Sequence, residues 1–90
     1  MMRLHLLVSG FVQGVNFRYY TKKKADELDL VGWVRNLPDG RVEIQALGEK
    51  EKLAEFLSWC QKGPDFADVR HVEVEWENTD EKLEKFVIKY

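Results

Sequence analysis

The chain has 90 residues, 44% hydrophobic and 33% charged, with a formal net charge of −2. That length and composition fit one modest core, a single domain over 1–90, and exclude disorder. The slightly acidic balance argues against general nucleic-acid binding, which draws on a basic face, and no apolar run reaches the ~18–20 residues that span a bilayer.

Residues 3–9 alternate. Leu4, Leu6 and Val8 point one way, and Arg3, His5 and Ser9 the other, with Leu7 the exception, as in a half-buried strand. Residues 10–16 read as a loop. Over 17–28, Phe17, Thr21, Ala25 and Leu28 recur at helical spacing, and Lys22, Lys23 and Lys24 fall mostly on the opposite, solvated side. Residues 31–36 form a second strand. Pro38-Asp39-Gly40 reads as a tight turn, because proline presets φ and glycine accepts a positive one. Residues 41–47 return with Val42, Ile44 and Ala46 on one face. Leu53, Phe56, Leu57 and Cys60 mark a helix over 49–62, stopped by Gly63-Pro64. Val72, Val74 and Trp76 give the inward face of a fourth strand that starts near Val69, with Glu73, Glu75 and Glu77 facing solvent. Phe86, Ile88 and Tyr90 mark a short terminal strand.

This order, β-α-β-β-α-β plus a fifth strand, is that of an α+β ferredoxin-like split βαβ fold, an antiparallel sheet with two helices on one face. Cys60 is the only cysteine, so no internal disulfide forms, which suits a reducing compartment. The chain opens on a strand pattern carrying Arg3 and His5 rather than on a signal peptide. A cytoplasmic monomer with no membrane contact is expected.

The stretch Gly10-Phe11-Val12-Gln13-Gly14-Val15-Asn16-Phe17-Arg18 lies between the first strand and the first helix. Two glycines free the backbone, a helix N-terminus follows, and an arginine opens the helix. Backbone N–H groups beside a fixed positive charge are a layout for holding an anion. In a split βαβ unit the first two strands run the same way, so their C-terminal ends and the start of the first helix share one edge of the sheet. Arg18 and Asn36 are therefore expected to meet there. A guanidinium fork matches two phosphoryl oxygens, and the Asn36 amide can hold a water in line with the bond to be broken.

Residues 10–18 contain no Asp, Glu, His or Cys, and Asn36 is not a base. Neither a phospho-enzyme nucleophile nor a general acid is evident. A phosphate monoester expels a poor alkoxide and usually wants that acid, whereas an acyl phosphate expels a carboxylate, stable unprotonated near pH 7. The pattern favours an activated anhydride as substrate.

Together with Gly32-Trp33-Val34-Arg35-Asn36 and Asp39-Gly40-Arg41-Val42, the loop resembles the acylphosphatase family, whose pattern runs Gly-x-Val-Gln-Gly-Val-x-Phe-Arg, then Gly-Trp-Val-x-Asn, then Asp-Gly-x-Val. Nearly the whole chain shares the resemblance, including the closing strand Phe86 to Tyr90. It implies the same fold and the hydrolysis of acyl phosphates to carboxylate and phosphate, with no metal and no cofactor. Residue by residue it implies Arg18 as phosphate binder, Asn36 as the water-orienting residue, and Gln13, Gly14, Val15, Asn16 and Phe17 as the loop. A substrate phosphoryl oxygen would take the water proton. Two positions depart from the family. Asn16 stands where a small or aromatic residue is frequent, and Asp29 replaces a glycine at the end of the first helix, where a small stability cost is expected.

Other residues take structural readings. Arg35 and Arg41 flank the turn and suit cross-strand pairing. His5 and His71 are isolated, so a metal site is not expected. Trp33, Trp59 and Trp76 read as packing residues, and Cys60 as inert core. Two other functions remain open at this stage. A non-catalytic phosphate- or carbamoyl-phosphate-binding module is one, since the same domain begins larger carbamoyl-transfer maturation proteins, although no further domain is expected after Tyr90. RNA binding is the other, on the shared topology; against it, the outward strand positions are largely Arg, His, Ser, Glu and Gln, without the Lys/Arg-Gly-Phe-type motifs of RNA-recognition sheets, and the net charge is negative.

Overall fold

In the computed structural model, which describes all of residues 1–90, seven elements follow in chain order. They are β1 (Met2–Phe11), α1 (Phe17–Glu27), β2 (Val31–Asn36), β3 (Val42–Gly48), α2 (Lys50–Lys62), β4 (Asp68–Asn78) and β5 (Phe86–Lys89). The strands form one sheet in the order β4-β1-β3-β2-β5. Each element predicted from periodicity is present, its ends shifted by a few residues.

The sheet is mixed, not wholly antiparallel as expected. β5 runs parallel to β2, pairing Gly32 with Phe86 and Arg35 with Lys89. The cause is the route of the chain. β4 ends beside the start of β1, with Asn78 opposite Met2, and β1 and β2 run the same way because each is antiparallel to β3. Residues 79–85 therefore only pass under one end of the sheet, and the strand that re-enters at the far edge must follow the direction of β2.

One face of the sheet holds the core. Leu4, Leu6 and Val8 of β1, Val34 of β2, Val42, Ile44 and Ala46 of β3 and Phe86 of β5 meet Phe17, Ala25 and Leu28 from the first helical segment and Leu53, Phe56 and Cys60 of α2. Each such Leu, Ile, Val or Phe contributes about 1.5–3 kcal/mol by leaving water. α1 lies over β2 and β5, and α2 over β4, β1 and β3. Thr21, fully buried in α1, satisfies its hydroxyl by donating to the Phe17 carbonyl at 2.7 Å. Val74, expected to face inward, is 40% exposed. It does sit level with Leu6, but on an edge strand that the helices do not cover at that point. No helix is long and apolar enough to cross a membrane.

The opposite face is mostly polar, with the Trp33 ring held between the Arg35 and Lys89 side chains. The Glu43 carboxylate lies 2.7 Å from His5 Nε2 and accepts from Arg35 Nε at 2.6 Å. Burial raises the carboxyl pKa of Glu43, but the bonds from His5 and Arg35 outweigh it and leave it below the ordinary value. Arg35 thus pairs across strands as expected, directly opposite Glu43. Arg41 bonds Asp39 within its own turn, at 2.8 Å, and reaches Glu73 of β4 at 3.9 Å.

Two backbone details shape the site end. At Gly10 the β1–β4 register shifts by a bulge, and a side chain there would place its Cβ 2.1 Å from the Asp68 carbonyl oxygen. Asp29 is left-handed, φ 57°, at the end of α1. Leu30 N–H donates to the Ala25 carbonyl at 2.9 Å and Asp29 N–H to the Asp26 carbonyl at 3.2 Å, the bonding of a Schellman cap.

Candidate active site

The loop from Val12 to Asn16 joins the end of β1 to the start of α1, on the same edge as the end of β2. Gly14 has φ 78°, and a Cβ there would meet nothing within 4 Å, so conformation and not crowding calls for glycine. Asn16, the N-cap of α1, is also left-handed at φ 61°, ψ 26°, and its side chain makes no capping bond. No acidic residue lies in the first turn. The first backbone bond of the helix runs from Tyr20 N–H to the Asn16 carbonyl at 3.1 Å, and the N–H groups of residues 13–19 find no acceptor in the protein. A helix start normally has four such orphan donors; here the run extends back through the loop.

The loop is braced from the hairpin. Gln13 Nε2 donates to the Leu37 carbonyl at 2.8 Å and to the Arg41 carbonyl at 2.9 Å. Its amide thus fixes where the loop stands relative to the end of β2, and does not reach the cavity. Val15 packs against the core.

Gly14, Asn16, Phe17, Arg18 and Asn36 line one cavity of about 280 Å³, whose walls are completed by Val12, Tyr19, Ile88 and Tyr90. The topological convergence of Arg18 and Asn36 is therefore present. No Asp, Glu, His or Cys side chain lines it. Cys60 lies fully buried in the core, and that burial pushes its thiol pKa up, so it is no nucleophile here.

Arg18 differs from the other arginines. Arg3 pairs with Glu77, Arg35 with Glu43, Arg41 with Asp39 and Arg70 with Asp68. Arg18 has no carboxylate partner: Nη1 donates to the Lys89 carbonyl at 3.3 Å, and the guanidinium carbon stands 4.8 Å from the centre of the Tyr90 ring. A backbone carbonyl and a ring face steer the guanidinium without neutralising it.

The sequence reading did not single out Val12, Tyr19, Ile88 or Tyr90 as cavity residues. The register could have exposed Tyr90, since Arg35 pairs with Lys89 and the next residue is then level with Asn36. A second signal lies in the charges. The first 25 residues contain no Asp or Glu, although the whole chain has 16. That acid-free stretch supplies β1, the loop and most of α1, so no carboxylate competes for an anion from those elements.

The acylphosphatase family profile matches residues 4–88. An acylphosphatase from Archaeoglobus fulgidus is 50% identical over 90 residues, covering all of both chains. One from Chloroflexus aurantiacus is 47% identical over 88 residues, 98% of this chain and 96% of its own. The crystal structure of acylphosphatase from Bacillus subtilis superposes with a TM-score of 0.97 at 39% identity over the full length of both chains. With the fold, the free-donor loop and these full-length relatives in agreement, the chain belongs to the acylphosphatase family and is an enzyme of acyl phosphate hydrolysis.

Proposed function

We propose that hydrolysis takes place in the cavity between the 12–18 loop and Asn36, by positioning and electrostatics. The observation that carries this reading is the run of free N–H groups at residues 13–19 beside the one arginine that lacks a carboxylate partner. The backbone donors and Arg18 hold the phosphoryl oxygens, and the Asn36 amide orients a water in line with the bond to the acyl oxygen. The water oxygen forms a new P–O bond and the bridging P–O bond breaks. Its electron pair stays on the bridging oxygen, which departs in a carboxylate, and a water proton passes to a phosphoryl oxygen. Donors aligned to the charge of the transition state carry the rate, each worth about 10²–10³ in kcat by analogy with oxyanion-hole deletions. No protein group need exchange a proton, in keeping with cavity walls that carry no Asp, Glu, His or Cys side chain.

Small carboxyl phosphates such as acetyl phosphate, carbamoyl phosphate and 1,3-bisphosphoglycerate share the phosphoryl end that this cradle addresses. The working unit is a single domain acting as a monomer in the cytoplasm, where the lone, buried Cys60 stays reduced.

The test is turnover of benzoyl phosphate, followed by absorbance with excess chelator, for the wild type beside Asn36→Ala. Rapid turnover that Asn36→Ala abolishes, with inorganic phosphate still bound, is the expected result. Wild-type turnover by Asn36→Ala would remove that residue from the mechanism, and phosphate binding with no turnover by the wild type would leave only a binding module.

A further inference from the structure

The cavity holds a second free amide besides that of Asn36. Asn16 enters from the helix side as the cap of α1, and Asn36 from the strand side as the last residue of β2. The Asn16 side chain has no hydrogen bond in the protein, and in particular does not cap its helix. An Asn is tolerated in a left-handed conformation largely because its short side chain can bond locally. Here it stands at φ 61° without that bond, leaving both N–H donors of the amide without a protein partner at the cavity wall.

In-line displacement places the attacking and leaving oxygens on opposite sides of phosphorus. With the phosphoryl oxygens held by the loop and Arg18, and the water by Asn36, the bridging oxygen is the remaining atom on which charge develops. We propose that the Asn16 side-chain amide donates a hydrogen bond to that bridging oxygen as it departs, so that Asn16 is a catalytic residue for the leaving carboxylate. This role rests on the in-line reading above. The step transfers no proton from Asn16: the bridging P–O bond breaks, the electron pair stays on oxygen, and the neutral amide stabilises the growing negative charge where a carboxylate at position 16 would oppose it. The other side-chain donors on the walls are the hydroxyls of Tyr19 and Tyr90. They end long, exposed side chains, 58% and 100% accessible, and the Tyr90 ring is engaged by Arg18. Asn16 is exposed as well, but its amide hangs from a much shorter side chain on the cap of α1, which limits how far the donor can stray from the cavity.

Such a donor matters most when the leaving carboxylate is basic. Single-turnover rates are therefore measured for benzoyl phosphates whose ring substituents vary the pKa of the released acid, with wild type, Asn16→Gly and Asn16→Asp. Glycine keeps the left-handed backbone, and Asp keeps the shape, so both variants fold. Asn16→Gly is expected to slow benzoyl phosphate about tenfold or more and to steepen the dependence of rate on leaving-group pKa, while the inhibition constant of inorganic phosphate stays within about threefold. Asn16→Asp should be slower still. An unchanged slope in Asn16→Gly overturns the proposal, as does a loss of phosphate affinity that matches the loss of rate, which would put the amide on the phosphoryl group. A slope steepened by Tyr19→Phe instead would also overturn it by giving the donor to Tyr19. Asn36→Ala in the same series separates the two assignments. Full rate in that variant sinks the water-orienting role, whereas a steeper slope confined to Asn16→Gly still places Asn16 at the leaving oxygen.

Discussion

Arg18→Ala tests the electrostatic half of the site. A guanidinium fork on two phosphoryl oxygens makes two charge-assisted bonds of about 1.5–3 kcal/mol each. Their sum corresponds to about 10²–10⁴ in kcat/KM, at one factor of ten per 1.36 kcal/mol. Arg18 is not fully buried, and solvent screening weakens its field, so the lower part of that range, about 10²–10³, is expected. The fold should tolerate the change. Arg18 gives up one 3.3 Å bond and an exposed ring contact, together worth about 1 kcal/mol, or roughly 4–8 °C in melting temperature for a domain of this size. Arg18→Lys keeps the charge but not the fork and should recover no more than about tenfold of the loss. The assay is benzoyl phosphate turnover with kcat and KM resolved, product inhibition by inorganic phosphate, and thermal melting on the same samples. Rate and phosphate affinity should fall together. Folded Arg18→Ala within about tenfold of wild-type kcat/KM would refute the reasoning, because one bond of this class alone already exceeds that factor.

Other expectations follow from single contacts. Gln13→Leu strips the Leu37 and Arg41 carbonyls of their 2.8 and 2.9 Å donors; urea unfolding should show a loss of about 1–3 kcal/mol. The loosened loop should also cost up to about 100-fold in kcat, and full activity in that variant would mean the loop holds its place without the brace. Asp29→Gly, at φ 57°, should raise stability by about 0.5–1 kcal/mol with activity unchanged, and a lower melting temperature would contradict the strain assigned there. Glu43 has a carboxyl pKa below its ordinary value in the folded state, so its contribution is present above the unfolded-state value near pH 4.3 and is lost as pH falls through the folded one. The stability gap between wild type and Glu43→Gln, read by urea unfolding from pH 7 to pH 3, should be largest near neutrality and shrink below about pH 4. A gap that does not vary with pH would show that shape rather than charge is at work.

The sequence carries local patterns well and long-range routes poorly. Alternation at Leu4, Leu6 and Val8 and the three- and four-residue spacing at Leu53, Phe56 and Cys60 named the buried faces correctly. The left-handed Asp29 was legible because a glycine position at a helix end constrains φ before any tertiary contact forms. The direction of β5 was not legible. Four residues of alternating pattern carry no polarity, and only the path of 79–85 under the sheet decides it. Nor could alternation tell that Val74, on the inward side, would find no helix above it. Gln13 could be assigned to the loop from its motif, but its two bonds go to carbonyls 24 and 28 residues away, a placement that needs the closed hairpin.

The site also shows why net charge is a poor guide to local function. A chain at −2 would be expected to repel a dianionic phosphoryl group. Screening confines such repulsion to about 8–10 Å, so the charges that matter are those around the cavity. Within the first 25 residues every formally charged side chain is basic, and Arg18 alone of the arginines is left without a carboxylate. The acidic residues are carried by later segments, where they pair with Arg3, Arg35, Arg41 and Arg70. Any substitution that brought a carboxylate within reach of the Arg18 guanidinium would then act against the site twice, by opposing the ligand and by engaging its binding group. The C-terminal end of β5 is where that vulnerability is greatest, because Lys89 and Tyr90 already touch Arg18 through a carbonyl and a ring.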